Sequence, residues 1–349
     1  MAIRLCLAVW MAFVSTSATA VAFQDRNAVD DQEAVDESIV RALRYLSEEQ
    51  NATGSWRAGS YGDSTATTSL AIMSFLAAGH VPGEGPYGTQ INRGIDWVLS
   101  QQQPNGMLVG RGRSHGPMYS HGISALMLAE VFGMVDEGLA RKVKPGLEKG
   151  IKLILAAQNH RKEPAHRGGW RYYTTSTDSD LSVSAWQLLA LRAAKDAGCD
   201  VPAENIDDAI EYIRRLRVRG NRGFGYQTGH GSSATRAGTG IVALEVCGDH
   251  HSKEALGAAD ALIRRPLQRS DGYFYYGAYY CTVGMFKIGG EYWKRIKPTL
   301  FEVILSEQRA DGSWQARQGS EKKAGTTYAT SMAVLALAVE YRFLPIYQR

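Results

Sequence analysis

The chain reads as an all-α protein, an α/α toroid of six helical hairpins with six inner and six outer helices. Three observations predict this. One short phrase returns six times along the sequence, the helical stretches on its two sides differ in kind, and the first and last copies look like the middle ones. An array of hairpins that cannot bury their apolar faces alone accounts for the period. A closed ring accounts for the missing polar caps, because it has no ends to protect.

Each phrase ends one helix-like stretch on a glutamine or its equivalent, makes a Gly-aromatic turn and enters an apolar stretch. The copies are Gln50 with Gly54-Ser55-Trp56, Gln102 with Gly106-Met107-Leu108, and Gln158 with Gly168-Gly169-Trp170. Then follow Leu216 with Gly223-Phe224-Gly225-Tyr226, Gln268 with Asp271-Gly272-Tyr273-Phe274, and Gln308 with Asp311-Gly312-Ser313-Trp314. Successive gaps are 52, 56, 58, 52 and 40 residues. Stretches before the turns carry apolar residues at helical spacing and charges opposite, as in Val35-Ile39-Ala42-Leu43-Leu46 and Ile206-Ala209-Ile210-Ile213. One wet face makes these the outer helices. Stretches after the turns are nearly uncharged, as in Ser69 to Ala78, Ile123 to Ala129 and Val183 to Leu191, with a fifth near Tyr280 to Ile288. Apolar all round means buried all round, so these are the inner helices. Gly79, Gly133, Gly198 and Gly248 stand where left-handed caps are expected.

The N-terminus holds Arg4, then an apolar run from Leu5 to Val14, then small residues to Ala22. This is the pattern of a secretory signal over 1–22, cleaved near Ala20 or Ala22, and it is too short to span a bilayer. Residues 23–32 read as a polar leader and 33–349 as one toroid domain, secreted or periplasmic. Cys199, Cys247 and Cys281 remain after cleavage, spaced as neither a disulfide framework nor a CxxC metal site. A net charge of +4 and basic runs confined to helix ends point away from nucleic acid. No later stretch approaches a membrane span.

Gln308-x-x-Asp311-Gly312-Ser313-Trp314 resembles the glutamine-to-tryptophan phrase of squalene and oxidosqualene cyclases, and Gln50 to Trp56 is a degenerate copy. The chain beyond the signal resembles the terpenoid-cyclase and protein-prenyltransferase repeat superfamily. The resemblance implies a six-hairpin toroid whose inner-helix starts rim a central cavity. It also supplies two tests of chemistry. Class II terpene cyclases protonate an alkene with the middle acid of Asp-x-Asp-Asp; here Asp178 and Asp180 match the first two acids and Leu181 stands in place of the third. Prenyltransferase β subunits bind zinc through Asp-x-Cys and a distant histidine; here Tyr273 follows Asp271-Gly272, and the last inner helix offers Tyr328 and Thr330 without a histidine. No tetrahedral metal site follows from that set, and no cofactor is called for.

If the ring closes, one mouth collects the inner-helix starts. Asp180, Asp178 and His121 are the catalytic candidates, Asp180 as acid and His121 as base or capping partner. Asp63, Tyr119, Trp170, Tyr173, Arg236, Tyr279, Tyr280 and Tyr328 are the candidate ligand-binding residues. His115 flanks the second inner start. Ser, Thr and Asp before an apolar helix are also ordinary N-caps, and that reading competes at each position. The function expected is an aromatic-lined cavity for an apolar or isoprenoid-like ligand. Two alternatives are kept: a cyclase or isomerase using Asp180, and a scaffold for an envelope protein or glycan. No HExxH, P-loop or thioester phrase is present.

Overall fold

Stretches with one charged side alternate along the chain with wholly apolar ones, and in the computed structural model each becomes a helix. The structure describes residues 15–110, 116–220 and 222–348, with side chains from residue 32 onward. The apolar run at residues 5–14 and the loop residues 111–115, which include His115, lie outside the described residues. Outer and inner helices pair in chain order: α1 (Ser15–Glu48) with α2 (Thr65–Ala77), α3 (Gly88–Ser100) with α4 (Pro117–Phe132), and α5 (Glu137–Gln158) with α6 (Leu181–Asp196). The second half repeats this: α7 (Ala203–Arg215) with α8 (Ala234–Val246), α9 (Lys253–Arg264) with α10 (Phe274–Ile288), and α11 (Gly290–Leu305) with α12 (Gly319–Leu337).

The even-numbered helices are the inner ones. In α2 every residue but Ala66 is buried, as uniform apolarity requires. Each inner helix packs on its two neighbours, and α12 packs on α2, so the ring closes. Two small hydroxyls bond across these seams: Ser69 Oγ donates to Ser124 Oγ at 3.2 Å, and Ser74 Oγ to the Ser331 carbonyl at 3.1 Å. No described helix is long and apolar enough to cross a membrane.

The recurring phrase is a clasp. The Gln158 amide donates to the Gly168 carbonyl of its own turn at 2.9 Å and to the Asn205 carbonyl of α7, the next outer helix, at 2.8 Å. Gln50 joins its turn to α3 and Gln102 to α5 in the same way, and Gln308 reaches the Ser38 carbonyl of α1 at 2.8 Å. Turn glycines make the close approach possible. Gly54, Gly106, Gly168 and Gly312 all have positive φ, and a β-carbon on any of them would overlap a carbonyl of the neighbouring outer helix. The tryptophans lock the other side: Trp56, Trp170 and Trp314 are buried, and each indole donates to a carbonyl of the preceding outer helix at 2.7–2.8 Å.

Two expectations are corrected. The fifth inner helix begins at Phe274, not near Tyr280. Gly133 ends α4 at φ −80° and is not a left-handed cap, although Gly79, Gly198 and Gly248 do have positive φ. The early start of α10 explains the gap of 40 residues. Loops 57–64, 171–180 and 225–233 separate turn aromatics from inner helices in the first, third and fourth repeats, whereas Phe274 opens α10 directly. The wall of the mouth is therefore lower at the fifth repeat.

Candidate functional site

Inner helices start at the mouth end, so the loops before them and their first turns form its lining. Asp180 is the centre. Its backbone N–H donates to the Trp170 carbonyl at 2.9 Å, anchoring the loop, and its Oδ1 accepts from the Val183 N–H at 2.9 Å as the N-cap of α6. Oδ2 faces Arg171 Nη1 at 3.4 Å. Burial pushes the Asp180 carboxyl up to about 6; the Val183 N–H, the Arg171 guanidinium and the Tyr226 hydroxyl oppose this without cancelling it.

Arg171 holds the cluster together. Its guanidinium lies 4.5 Å from the Tyr172 ring centroid and 5.4 Å from that of Tyr226, a cation–π geometry on both. Its Nε stands 3.5 Å from Asp178 Oδ2. Tyr172 and Tyr226 share a hydrogen bond at 2.7 Å, Tyr119 stacks on Tyr172 at 6.0 Å, and His230 stacks on Tyr226 at 6.3 Å. Across the mouth, the Tyr276 hydroxyl donates to Ser182 Oγ at 3.2 Å. Tyr328 stands beside Tyr276 and Glu321. Burial lifts the Glu321 carboxyl to about 7, and it accepts the Tyr276 N–H at 2.8 Å and the Tyr275 N–H at 3.4 Å, serving as cap for α10.

Below this layer the bore is closed. Trp186 of α6 stacks on Tyr279 of α10 at 5.6 Å and meets Tyr280 edge-on at 5.4 Å. Since α8 stands between α6 and α10 in the ring, these contacts are made inside the bore. At the far end the C-terminal segment enters: Ile346 and Tyr347 are buried, and the Ile346 N–H donates to Glu130 Oε2 at 3.1 Å.

Of the sequence candidates, Asp178, Asp180, Tyr119 and Tyr328 meet in the mouth, and Tyr173 lies on its rim, 60% exposed. The others are engaged elsewhere. His121 is fully buried; its Nδ1 accepts from the Leu108 N–H at 3.0 Å, so Nε2 carries the hydrogen and donates to the Gly150 carbonyl at 3.0 Å. It occupies the position that Thr68, Ser184 and Thr330 hold in three other repeats, each accepting from the turn tryptophan's N–H. Burial lowers its pKa to about 4, which keeps it neutral. Trp170 belongs to the wall, and Tyr279 and Tyr280 fill the bore because α10 starts early. Arg236 is tied back to Ser233 Oγ and the Gly231 carbonyl, and Asp63 to the Asn51 amide. Sequence reasoning missed Arg171, Tyr172, Ser182, Tyr226 and Tyr276. The available signal was position: an arginine follows the turn tryptophan in both Trp56-Arg57 and Trp170-Arg171. Among the described residues no group of His, Cys, Asp and Glu could hold a metal ion.

A six-hairpin ring with these turns defines a class of protein, and comparison bears this out. The profile of the prenyltransferase alpha-alpha toroid domain matches residues 5–160 and 166–345, and the chain belongs to that family. No curated protein matches it by sequence. Among solved structures, the type II terpene cyclase MstE from Scytonema shares 15% identity over 89% of this chain and 100% of its own, with a TM-score of 0.56. An inactive variant of an α-1,6-mannanase from Salegentibacter sp. HEL1_6, in complex with α-1,6-mannotetrose, shares 9% over 87% and 99%, with a TM-score of 0.63. A glycosidase variant in complex with glucose shares 13% over 90% and 99%, with a TM-score of 0.62. At these identities the likeness is one of fold.

Proposed function

We propose that the mouth binds a sugar-bearing ligand, a unit of an envelope glycan, instead of an isoprenoid chain threaded into the bore. The observation that carries this is the aromatic closure of Trp186 on Tyr279 and Tyr280, which occupies the space an apolar chain would need. What stays accessible is shallow and mixed. Phenol rings of Tyr119, Tyr172, Tyr226, Tyr276 and Tyr328 offer flat apolar faces, while Arg171, Asp178 and Ser182 offer donors and acceptors. A sugar presents the complementary pair, a C–H face and a belt of hydroxyls, and a few placed polar groups among aromatic surface are how such sites select. Related rings have been solved with α-1,6-mannotetrose and glucose, and also with geranylgeranyl dihydroxybenzoate, so both ligand classes occur on this fold.

The test is titration of the purified protein with neutral oligosaccharides and with geranylgeraniol, read by tyrosine and tryptophan fluorescence. Sugar binding lost in Tyr172→Ala supports the reading. Saturable geranylgeraniol binding with no response to sugars would overturn it. On the pattern of the N-terminal run we also propose that the protein acts outside the cytoplasm, and a mature N-terminus near Val21 or Phe23 in the native protein tests that proposal.

One observation favours a second reading, acid catalysis. Asp180 is buried and lifted to about 6, and its Oδ2, facing Arg171, has no hydrogen-bond partner. Such a carboxyl is poised to give a proton near neutrality. Turnover of any bound sugar or isoprenoid by the wild type and none by Asp180→Asn, with binding kept, would establish it.

A further inference from the structure

The fifth repeat lacks both the clasp and the mouth loop, and a groove lies there. In four other repeats the turn glycine presses on the next outer helix; Gly272 has open space where a β-carbon would stand. The Gln268 side chain is exposed and does not bridge to α11. Between this turn and α11 runs a groove of about 820 Å³, lined by Gln268, Ser270, Thr299, Ser306 and Gln318 above Leu267 and Val303. Its volume is in the range of sites for small organic ligands. A second cleft of only about 20 Å³ shares Arg269, Arg317 and Gln318 with it and borders exposed Tyr273 and Glu321. Glu321 in turn holds the N–H of Tyr276, a residue of the mouth.

We infer that the groove is the continuation of the mouth, a subsite that takes the outer units of an extended, uncharged glycan whose end unit lies over the tyrosines. This rests on the sugar-binding reading of the mouth. The chemistry of the lining selects the class. Five uncharged side chains able to donate and accept stand above two aliphatic ones, which suits successive rings with hydroxyl belts and C–H faces. The arginines do not call for an anion, because Arg269 and Arg317 both pair with Glu307, the latter at 3.1 Å, and Glu302 adds a further carboxylate. The lowered wall at Phe274 supplies the route. At the first, third and fourth repeats a loop stands between mouth and outer surface.

The experiment is binding to an array of neutral oligosaccharides graded in length, followed by calorimetry on the series that binds. Wild-type affinity should rise about tenfold from disaccharide to hexasaccharide. Thr299→Trp, on the exposed side of α11, should fill the groove and abolish that gain while leaving disaccharide affinity unchanged; Ser306→Trp should repeat the result from a second position. Disaccharide binding that does not strengthen with length, or a length effect that survives both tryptophans, overturns the groove and leaves the mouth standing. No binding at any length overturns both.

Discussion

The third and fifth repeats perform the same step in the ring with opposite means. At the third, Gln158 joins turn to α7, Gly168 lies against the α7 backbone, and Trp170 is buried beneath a loop that carries Arg171 and Asp180. At the fifth, Gln268 is exposed, a β-carbon on Gly272 would stand in open space, Phe274 begins the helix, and a groove opens. The fourth is intermediate: Leu216 replaces the glutamine, and an Arg217–Glu254 ion pair at 3.4 Å bridges the helices. The difference teaches that the phrase holds the outer wall shut. Where it decays, the wall is free to become surface for a ligand.

The largest effect should separate the two repeats outright. Trp170→Ala removes a buried indole and its hydrogen bond to the Ile154 carbonyl, and should cost about 3–5 kcal/mol in urea unfolding. Tyr273→Ala at the fifth turn should change stability by less than about 0.5 kcal/mol. Equal losses would break the comparison.

Next come the glycines. Gly168→Ala meets both a positive φ and the Asp208 carbonyl, so a loss of about 2–4 kcal/mol is expected, against about 0.5 kcal/mol or less for Gly272→Ala.

The acid of the third repeat gives a pH signature. Its folded pKa of about 6 lies above the ordinary 3.8, so folding disfavours the ionised form. Stability contributed by the protonated state is then lost as pH rises from about 4 to 6, up to about 3 kcal/mol, and is level above that. Glu321, lifted to about 7, adds a loss of the same sign that continues to higher pH. His121, lowered to about 4, acts oppositely and loses stability as pH falls below its ordinary 6.5. Asp180→Asn keeps a capping oxygen, and its unfolding free energy should fall less than the wild type's between pH 4 and 6. Parallel curves would show that Asp180 does not titrate there.

The smallest effect concerns the clasp alone. Gln308→Ala removes bonds to Gly312 and Ser38 and should cost about 1–2 kcal/mol, whereas Gln268→Ala should be near neutral.

The ring was legible because its signals are local and periodic: a glutamine, a glycine that accepts positive φ, a tryptophan, then an uncharged helix. Even the irregular gap of 40 residues was visible before its cause, the missing mouth loop, was. The site was legible only in part. Asp178 and Asp180 stand out as a pair, but Arg171, Tyr226 and Tyr276 come from three different repeats, and their meeting depends on helix register and loop path. Tyr279 and Tyr280 were misplaced for the same reason: starting α10 at Phe274 moves them one turn deeper. His121 misled because its residue type suggests proton chemistry, while its position repeats a hydroxyl acceptor found in three other hairpins.

Ring closure has a consequence in time as well as in space. The bonds that seal it, Ser74 to Ser331 and Gln308 to Ser38, join residues 257 and 270 positions apart. During synthesis the flank of α2 that α12 will cover must wait for the last hairpin to emerge. Contacts so distant in sequence make for slow folding. A nascent chain halted before Gln308 should therefore be held by chaperones or cleaved by proteases, and become resistant only when the sixth hairpin arrives.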